Sequence, residues 1–378
     1  MRLAERQWDA LGEETVQHLV RLLRFDTSNP PGNETPAAQY LKQALEREGL
    51  EELHLLEAAP RRGNLVARLR GDGSKPPLLL TAHLDVVPAE AAAWRHPPFA
   101  GMVAEDMVWG RGALDMKHMA AMSLMVLLMA RRQRLPLRRD LILAAVADEE
   151  DGGTYGARWL VENHPELLRA EYALNELGGF LVQAGRLRLY PIQVAEKGPC
   201  LLRLRSRGRP GHGSTPHDEN AVVRLAEAVA RLRDGRGLPI HVTPPAAAYI
   251  RALTSGLPLW QGIRLRGLLQ PRWAPRILAG LSAELREGLR PLLSNTASVT
   301  GLRAGVRTNV IPAQAEADVD CRLLPGQTPE ALRREVSDLL GPGVEVELVH
   351  GAEGVAFPSN TPLFALLQDV LRAQDAAA

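Results

Sequence analysis

The sequence predicts an α/β protein in two parts: a mixed, mostly parallel sheet between helices, and an inserted α+β domain of ferredoxin-like plan. Three observations carry this reading. At 378 residues the chain exceeds the usual reach of a single hydrophobic core, so two domains are expected. Up to about residue 190, short apolar runs alternate with segments of helical periodicity. Beyond residue 196, alternating strands and amphipathic helices follow in the order β-α-β-β-α-β.

The opening stretch, MRLAERQWDALGEETVQHLVRLLRF, spaces its apolar residues as a helix and contains no signal-peptide apolar block, so a cytoplasmic location is expected. Helices are expected over 35–49, 116–134 and 154–169, and strands over 64–71, 77–87, 141–147 and 171–176. Apolar strands interleaved with helices imply a sheet covered on both faces. The longest apolar run, MAAMSLMVLLMA at 119–130, is too short to span a bilayer and reads as a buried helix. In the second part, strands are expected over 200–208, 296–305, 313–324 and 344–351, with helices over 218–233 and 329–340. Between them, at 240–292, proline punctuates short apolar helices. This insertion is expected to pack the inserted domain; its alternative role is to line a pocket for an apolar acyl or side-chain group. The expected domain bounds are 1–195, 196–352, and a return to the first domain over 353–378 that stops short.

Composition excludes several function classes. A formal charge of +1 gives no reason to expect a nucleic-acid or polyanion partner. Two cysteines, Cys200 and Cys321, argue against both a disulfide framework and a thiolate metal site. Lysine occurs four times against 41 arginines, a ratio that codon bias explains. Even so, Lys117 and Lys197 fall inside motif-bearing stretches, where an ammonium is specifically wanted.

The segment LILAAVADEEDGG, residues 141–153, runs from a core strand into four consecutive acids, Asp148 to Asp151. Ionised carboxylates are costly to bury alone, so either solvent or a cation must offset the charge. Other strand ends and following loops carry similar residues: His83 and Asp85 after LLLTA, Asp115 after the loop WGRGAL, and Glu176 closing EYALNE. In open α/β sheets ligands bind beyond the carboxyl ends of the strands. One imidazole with several carboxylates and no thiolate is donor chemistry for Zn²⁺, Mn²⁺ or Co²⁺. Asp115, Glu150 and Glu176 bring three negative charges, which two ions and one hydroxide balance, with Asp115 as the bridge. Glu149 is then free to serve as general base. His83 and Asp85 are two apart and point the same way on an extended chain, so the Asp85 carboxylate can hold the second imidazole nitrogen.

TAHLDVVP, GRGALDMK, ADEED and NELGG, in that order, resemble the metallopeptidase family M20, whose members include carboxypeptidases, aminoacylases and related deacylases. The stretches WRHPPFAG and HPELLRAEYALNELGG look nearest to its carboxypeptidase S and N-acyl-amino-acid hydrolase branch. The resemblance implies a zinc-peptidase-like catalytic domain with a lid and dimerisation domain inserted into it. It implies zinc ligation by His83 and Glu176, a bridging Asp115, a second ion on Glu150, Glu149 as base and Asp85 as the orienter of His83. From the lid, it implies that His212 in RPGHGSTPH stabilises the oxyanion across a dimer and that Asn309 and Arg322 clamp the substrate carboxylate. Leu177, where many members have glycine, is the one small departure.

The implied function is hydrolysis of an amide to an amino acid with a free carboxylate, by a peptidase or an N-acyl-amino-acid deacylase. Similar enzymes also use a late histidine on the second ion, and this sequence has none after His350. His118 is the nearest substitute, and its place at a helix start is expected to turn it elsewhere. The expectation is therefore one firmly held ion and a weak second one. A metal-binding or dimerising protein with impaired catalysis is the alternative.

Overall fold

The structure, a computed structural model, describes residues 5–176, 178–185, 187–232 and 237–375. Leu177 lies outside the described residues. The chain forms two compact units, Met1–Leu177 and Gly178–Ala378.

In the first unit the order is α1 (Glu5–Leu23), α2 (Thr35–Arg47), β1 (Glu52–Glu57), β2 (Gly63–Leu69), β3 (Leu78–His83), the small hairpin β4 (Met102–Ala104) and β5 (Met107–Trp109), and α3 (Lys117–Arg132). There follow β6 (Leu141–Val146), α4 (Ala157–Asn163), α5 (Pro165–Leu168) and β7 (Tyr172–Leu174). The five-stranded sheet has the order β1-β2-β6-β3-β7. It is mixed, with β6–β3 and β3–β7 parallel and β1–β2 and β2–β6 antiparallel. The parallel share is thus smaller than expected. The unforeseen edge strand β1 turns back into β2 through a short link, which only antiparallel pairing permits, whereas α3 provides the crossover between β3 and β6. The helix expected over 154–169 breaks at His164, where Pro165 disfavours helical backbone in the residue before it.

All six residues of β6 are buried, because each face of the sheet is covered. Leu65, Leu80 and Leu143 pack on one face against Leu22 of α1, Leu41 of α2 and Leu124 of α3. Val66, Ile142 and Val146 pack on the other face with Leu160 of α4. Lys117, the first residue of α3, is fully buried. Its Nζ donates to the carbonyl oxygens of Leu22 at 3.2 Å and Phe25 at 2.8 Å, just where α1 ends. A cation is favoured there by the orphan carbonyls of the helix terminus. Burial depresses this ammonium to about 8. Lysine at this position therefore serves the join between α1 and α3, and with it the loop that carries Asp115.

The second unit begins with the hairpin β8 (Val182–Ala184) and β9 (Leu187–Leu189), then β10 (Ala195–Glu196), β11 (Gly198–Arg207), β12 (Gly211–His212) and α6 (Ala221–Leu232). The insertion folds as α7 (Pro244–Ser255), α8 (Leu259–Arg266), α9 (Ala274–Ala279) and α10 (Ala283–Leu293). The chain continues through β13 (Thr296–Ala304), β14 (Val310–Ile311), β15 (Gln314–Leu323), α11 (Pro329–Leu340), β16 (Val344–Gly351), β17 (Val355–Ala356) and α12 (Pro362–Gln374). The antiparallel sheet β13-β15-β11-β16 places the first strand of the motif between the third and fourth, the split-βαβ plan. Inward residues of β11 and β15, such as Leu202, Leu204, Ala317 and Val319, meet Leu225 of α6 and Val336 of α11.

Cys200 and Cys321 face each other across β11 and β15, both buried and free. Burial pushes the Cys200 thiol up to about 11, so it behaves as a small core residue. Ile250, Leu268, Leu278 and Leu289 give the insertion a core of its own. Lys197 donates to the Ser294 carbonyl at 2.8 Å and ties β10–β11 to the end of the insertion. By compactness, 178–195 and 353–378 fall in this second unit rather than the first, because β10 pairs with β17 and Arg188 pairs with Asp375. Among the described residues, no helix is long and apolar enough to cross a membrane.

Lys117→Met keeps the length of the side chain but leaves two carbonyls at the end of α1 without their donor. It should cost about 1–3 kcal/mol of unfolding free energy in urea titrations of the metal-free chain. An unchanged midpoint and slope would show that the ammonium does not hold α1 and α3 together.

Candidate metal centre

Strands β3 and β6 run parallel with His83 opposite Val146, so both chains leave the sheet at the same edge. His83, the last residue of β3, has a side chain only 1% exposed. Glu176 follows the neighbouring strand β7, and Asp115 lies in the loop ahead of α3. One ligand atom from each of His83, Asp115 and Glu176 lies within 4.8 Å of the other two. Three of the four expected ligands are thus brought together. Glu150 is half-buried beside them, and burial and then the charge of Asp115 raise its pKa.

His83 Nδ1 lies 2.9 Å from the backbone carbonyl of Asp85 and 3.5 Å from its carboxylate Oδ1. With Nδ1–H donated to the carbonyl, Nε2 faces Asp115 Oδ1, 2.9 Å away, and in the protonated imidazole its N–H donates to that oxygen. The main chain of Asp85 is therefore the nearer partner of the imidazole. Its carboxylate is engaged elsewhere: Oδ1 accepts the backbone N–H of Glu149 at 3.0 Å, and Oδ2 accepts that of Glu150 at 3.0 Å. Burial opposes charge on His83, yet its contacts with Asp85 and the negative charges of Asp85 and Glu149 raise it to about 9. Burial, then repulsion from Asp115, pushes Glu176 up to about 7. The cluster therefore gathers protons to lessen its own repulsion, as crowded carboxylates do in the absence of a cation.

The four consecutive acids have different surroundings. Asp148 is buried, with backbone in the left-handed region at φ 65°. Glu149 and Asp151 are exposed, and Glu150 is half-buried. Asp148 Oδ1 accepts from Arg62 Nη2 at 2.7 Å and from Asn29 Nδ2 at 3.0 Å, while Oδ2 accepts the Tyr155 N–H at 3.0 Å. The cation that offsets this acid is thus a protein guanidinium. Arg62 also lies 2.9 Å from Glu34 and stacks on Tyr155, its Cζ 5.1 Å from the ring centre. Gly32, at φ 81°, leaves room for it; a Cβ there would collide with the guanidinium. Asn29, Glu34 and Arg62 were not foreseen from the sequence. The paired prolines and glycine of SNPPGNE, beside Asn29 and Glu34, were the available signal of a rigid, crowded turn.

His118 is half-buried, its Nδ1 has no hydrogen-bond partner, and it is not part of the three-residue group. In the second unit, His212 on β12 is exposed, with Nδ1 2.7 Å from Ser214 Oγ. It pairs with Val310 of β14, and Gly213 N–H donates to the Asn309 carbonyl at 2.9 Å, so His212 and Asn309 share one loop cluster. Arg322 is exposed near the far end of β15, its Nη2 3.3 Å from Asp320 Oδ2. The same unit contains an apolar cavity of about 770 Å³, lined by Tyr190, Ile192 and Val194, by Tyr249 of the insertion, and by Phe357 and Phe364.

The model of peptidase family M20/M25/M40 matches residues 79–377, which take in all of these strand ends and both loop clusters. The chain belongs to this family. It is 32% identical over 280 residues to the N-fatty-acyl-amino acid synthase/hydrolase of Bos taurus, covering 71% of this chain and 54% of that one. With the protein of the same description from Mus musculus it shares 28% over 377 residues, covering 95% and 73%. The chain thus spans about half the length of the bovine relative. Among solved structures, the M20 family metallo-carboxypeptidase Sso-CP2 from Sulfolobus solfataricus superposes with a TM-score of 0.69 at 20% identity, covering 95% of this chain and 83% of that one. That likeness establishes a family M20 fold.

The donor set fits a divalent ion. An imidazole with one nitrogen committed to a carbonyl presents the other to two carboxylates, which suits Zn²⁺, Co²⁺ or Mn²⁺. Behind it, Glu34 is fully buried, and burial pushes it up to about 7 despite Arg62. An acid with its folded pKa raised keeps a proton that the unfolded chain has already lost. Its contribution to stability is therefore present below the unfolded value and is lost as pH rises to about 7. Glu34→Gln should gain stability relative to the parent between pH 5 and pH 8, measured by denaturant unfolding of both metal-free proteins. A difference that stays flat across this window would overturn the assignment.

Proposed function

We propose that the chain is a binuclear metal-dependent hydrolase that cleaves an amide bond to an amino acid bearing a free carboxylate. The observation that carries this reading is the meeting of His83, Asp115 and Glu176 at one sheet edge, with Glu149 and Glu150 pinned beside them by the Asp85 carboxylate. Zinc is the first choice of ion, with cobalt or manganese as substitutes. When bound, such ions polarise a carbonyl and make a water more acidic.

The side chains divide the remaining work. His83, Asp115, Glu150 and Glu176 hold the ions. Glu149 takes a proton from the attacking water and returns it to the departing amine, a role that its fixed backbone and exposed side chain support. His212 donates to the oxygen on which charge develops. Asn309 and Arg322 bind the free carboxylate of the product amino acid, the guanidinium fork matching its two oxygens. The working unit is a homodimer formed through the lid. The description of the bovine and murine relatives supports an N-acyl amino acid as substrate.

N-acyl amino acids and dipeptides, assayed with added Zn²⁺, Co²⁺ or Mn²⁺, should be hydrolysed. Glu149→Gln should keep its metal and lose a factor of roughly 10² or more in kcat. Near-normal turnover in this variant, or metal loss as severe as in Glu150→Gln, would refute its role as base. Retained metal binding with no hydrolysis of any substrate would favour a metal-binding protein instead. Amidated substrates should be poor for the parent, and Arg322→Ala should erase that preference; equal cleavage of free and amidated forms by the parent would remove the clamp.

A further inference from the structure

Beneath the candidate metal centre, one buried side chain touches both acids that order it. Asn29 is 4% exposed. Its amide nitrogen lies 2.9 Å from Asp85 Oδ2 and 3.0 Å from Asp148 Oδ1. A primary amide has two N–H donors, so each carboxylate receives one. The orientation of the amide is set by Arg62, whose Nη1 faces Asn29 Oδ1 at 3.4 Å while Nη2 holds Asp148. Asp85 in turn carries the N–H groups of Glu149 and Glu150 and lends its carbonyl to His83. Asp148 precedes Glu149 directly and takes the Tyr155 N–H, so it closes the loop that bears both glutamates.

We propose that Asn29 is a positioning residue: by bridging the carboxylates of Asp85 and Asp148, it fixes Glu149 and Glu150 relative to His83 and so sets how a divalent ion is held. Without the bridge, two buried carboxylates would face each other with one donor fewer apiece. Asp85 would relax away from Asp148, and the 149–150 backbone would follow it. The main chain at Asn29 does not depend on its side chain. Its N–H donates to the Val86 carbonyl at 2.9 Å, Val86 N–H donates to the Thr27 carbonyl at 3.2 Å, and Thr27 Oγ1 donates to the Leu84 carbonyl at 2.7 Å. Truncating the amide therefore leaves segment 27–29 laid against 84–86.

The importance of the bridge for catalysis rests on the hydrolase reading; its effect on metal binding does not. The test uses Co²⁺ alone, titrated into metal-free parent, Asn29→Ala, Asn29→Asp and the neighbouring control Asn33→Ala, followed by visible absorption, with kcat and KM measured on the loaded proteins. Asn29→Ala should keep the near-ultraviolet circular dichroism of the parent, bind Co²⁺ about tenfold or more weakly with a changed spectrum, and lose kcat more than it raises KM. Asn29→Asp, which sets a third carboxylate against the other two, should be more severely affected, and Asn33→Ala should match the parent. Parent-like affinity and spectrum in both Asn29 variants would overturn the proposal. So would loss of the near-ultraviolet signal in metal-free Asn29→Ala, which would make the role structural. A parent that hydrolyses no amide while the Asn29 variants still shift the Co²⁺ spectrum would sink the hydrolase reading and leave the positioning role standing.

Discussion

Two backbone N–H groups held by one carboxylate organise this site. β3 and β6 are parallel and in register, so both chains leave the sheet side by side and could then diverge. The Asp85 carboxylate prevents that by accepting from Glu149 on one oxygen and from Glu150 on the other. A carboxylate can accept at both oxygens simultaneously, and hydrogen bonds to an ionised acceptor are stronger than neutral ones. Burial would raise the Asp85 pKa, but the contacts with His83 and Asn29 hold it below its ordinary value, so the acceptor stays charged. The same residue presents its carbonyl to His83. His83, Glu149 and Glu150 thus share one reference point, and the geometry of the cluster is inherited from strand register.

Keeping Asp85 charged in the interior demands compensation, which the first unit supplies next to it. Asp85, Asp148 and Glu34 are all buried; Arg62 lies against Asp148 and Glu34, and the His83 imidazole lies against Asp85. These two cations do not fully neutralise three carboxylates. The balance is met in part by donors, with Asn29 and the N–H groups of Glu149, Glu150 and Tyr155 on the two aspartates, and in part by protonation, since Glu34 is pushed up to about 7. Glu34 lies close to Arg62 Nε, yet its oxygens have no well-angled hydrogen bond, and so burial dominates its titration. Replacing this network by apolar residues would remove the desolvation cost and also the joint between β3 and the 149–150 loop.

What was legible in the sequence follows from this division. The strand ends carrying His83 and Glu176 could be read because apolar periodicity locates strands and a charged residue at the end of a core strand needs a reason; Asp115 was legible only from its loop. The second sheet could be read nearly residue by residue, since alternation in β11 and β15 has one face in the core and one in solvent. Lys117 and Lys197 were correctly marked as positions that want an ammonium, although each holds backbone carbonyls and neither meets substrate chemistry in its own contacts. The fate of the acidic run was not legible. A cation or solvent seemed the only compensation, and Arg62, 86 residues away in sequence from Asp148, was anonymous among many arginines. Long-range side-chain pairing leaves no periodic trace, so the Asn29–Arg62–Asp148 contacts could emerge only from the fold. The edge strand β1 was missed for a related reason: its residues are mostly half-buried and alternate weakly.

The two units also differ in how firmly they hold their functional candidates. His83, Asp85 and Asp148 are almost fully buried, and each is fixed by several partners. His212 and Asn309 lie on exposed loops joined by a two-residue ladder, while among the described residues Arg322 has one side-chain hydrogen bond, to Asp320. A ladder that short confers little rigidity, and a guanidinium paired at 3.3 Å to an exposed aspartate on its own strand can exchange that partner at little cost. Such groups reach catalytic precision when something else packs against them. His83 is therefore fixed within the first unit by buried partners, whereas His212, Asn309 and Arg322 of the second unit are exposed, and burial is the physical reason for this difference in rigidity.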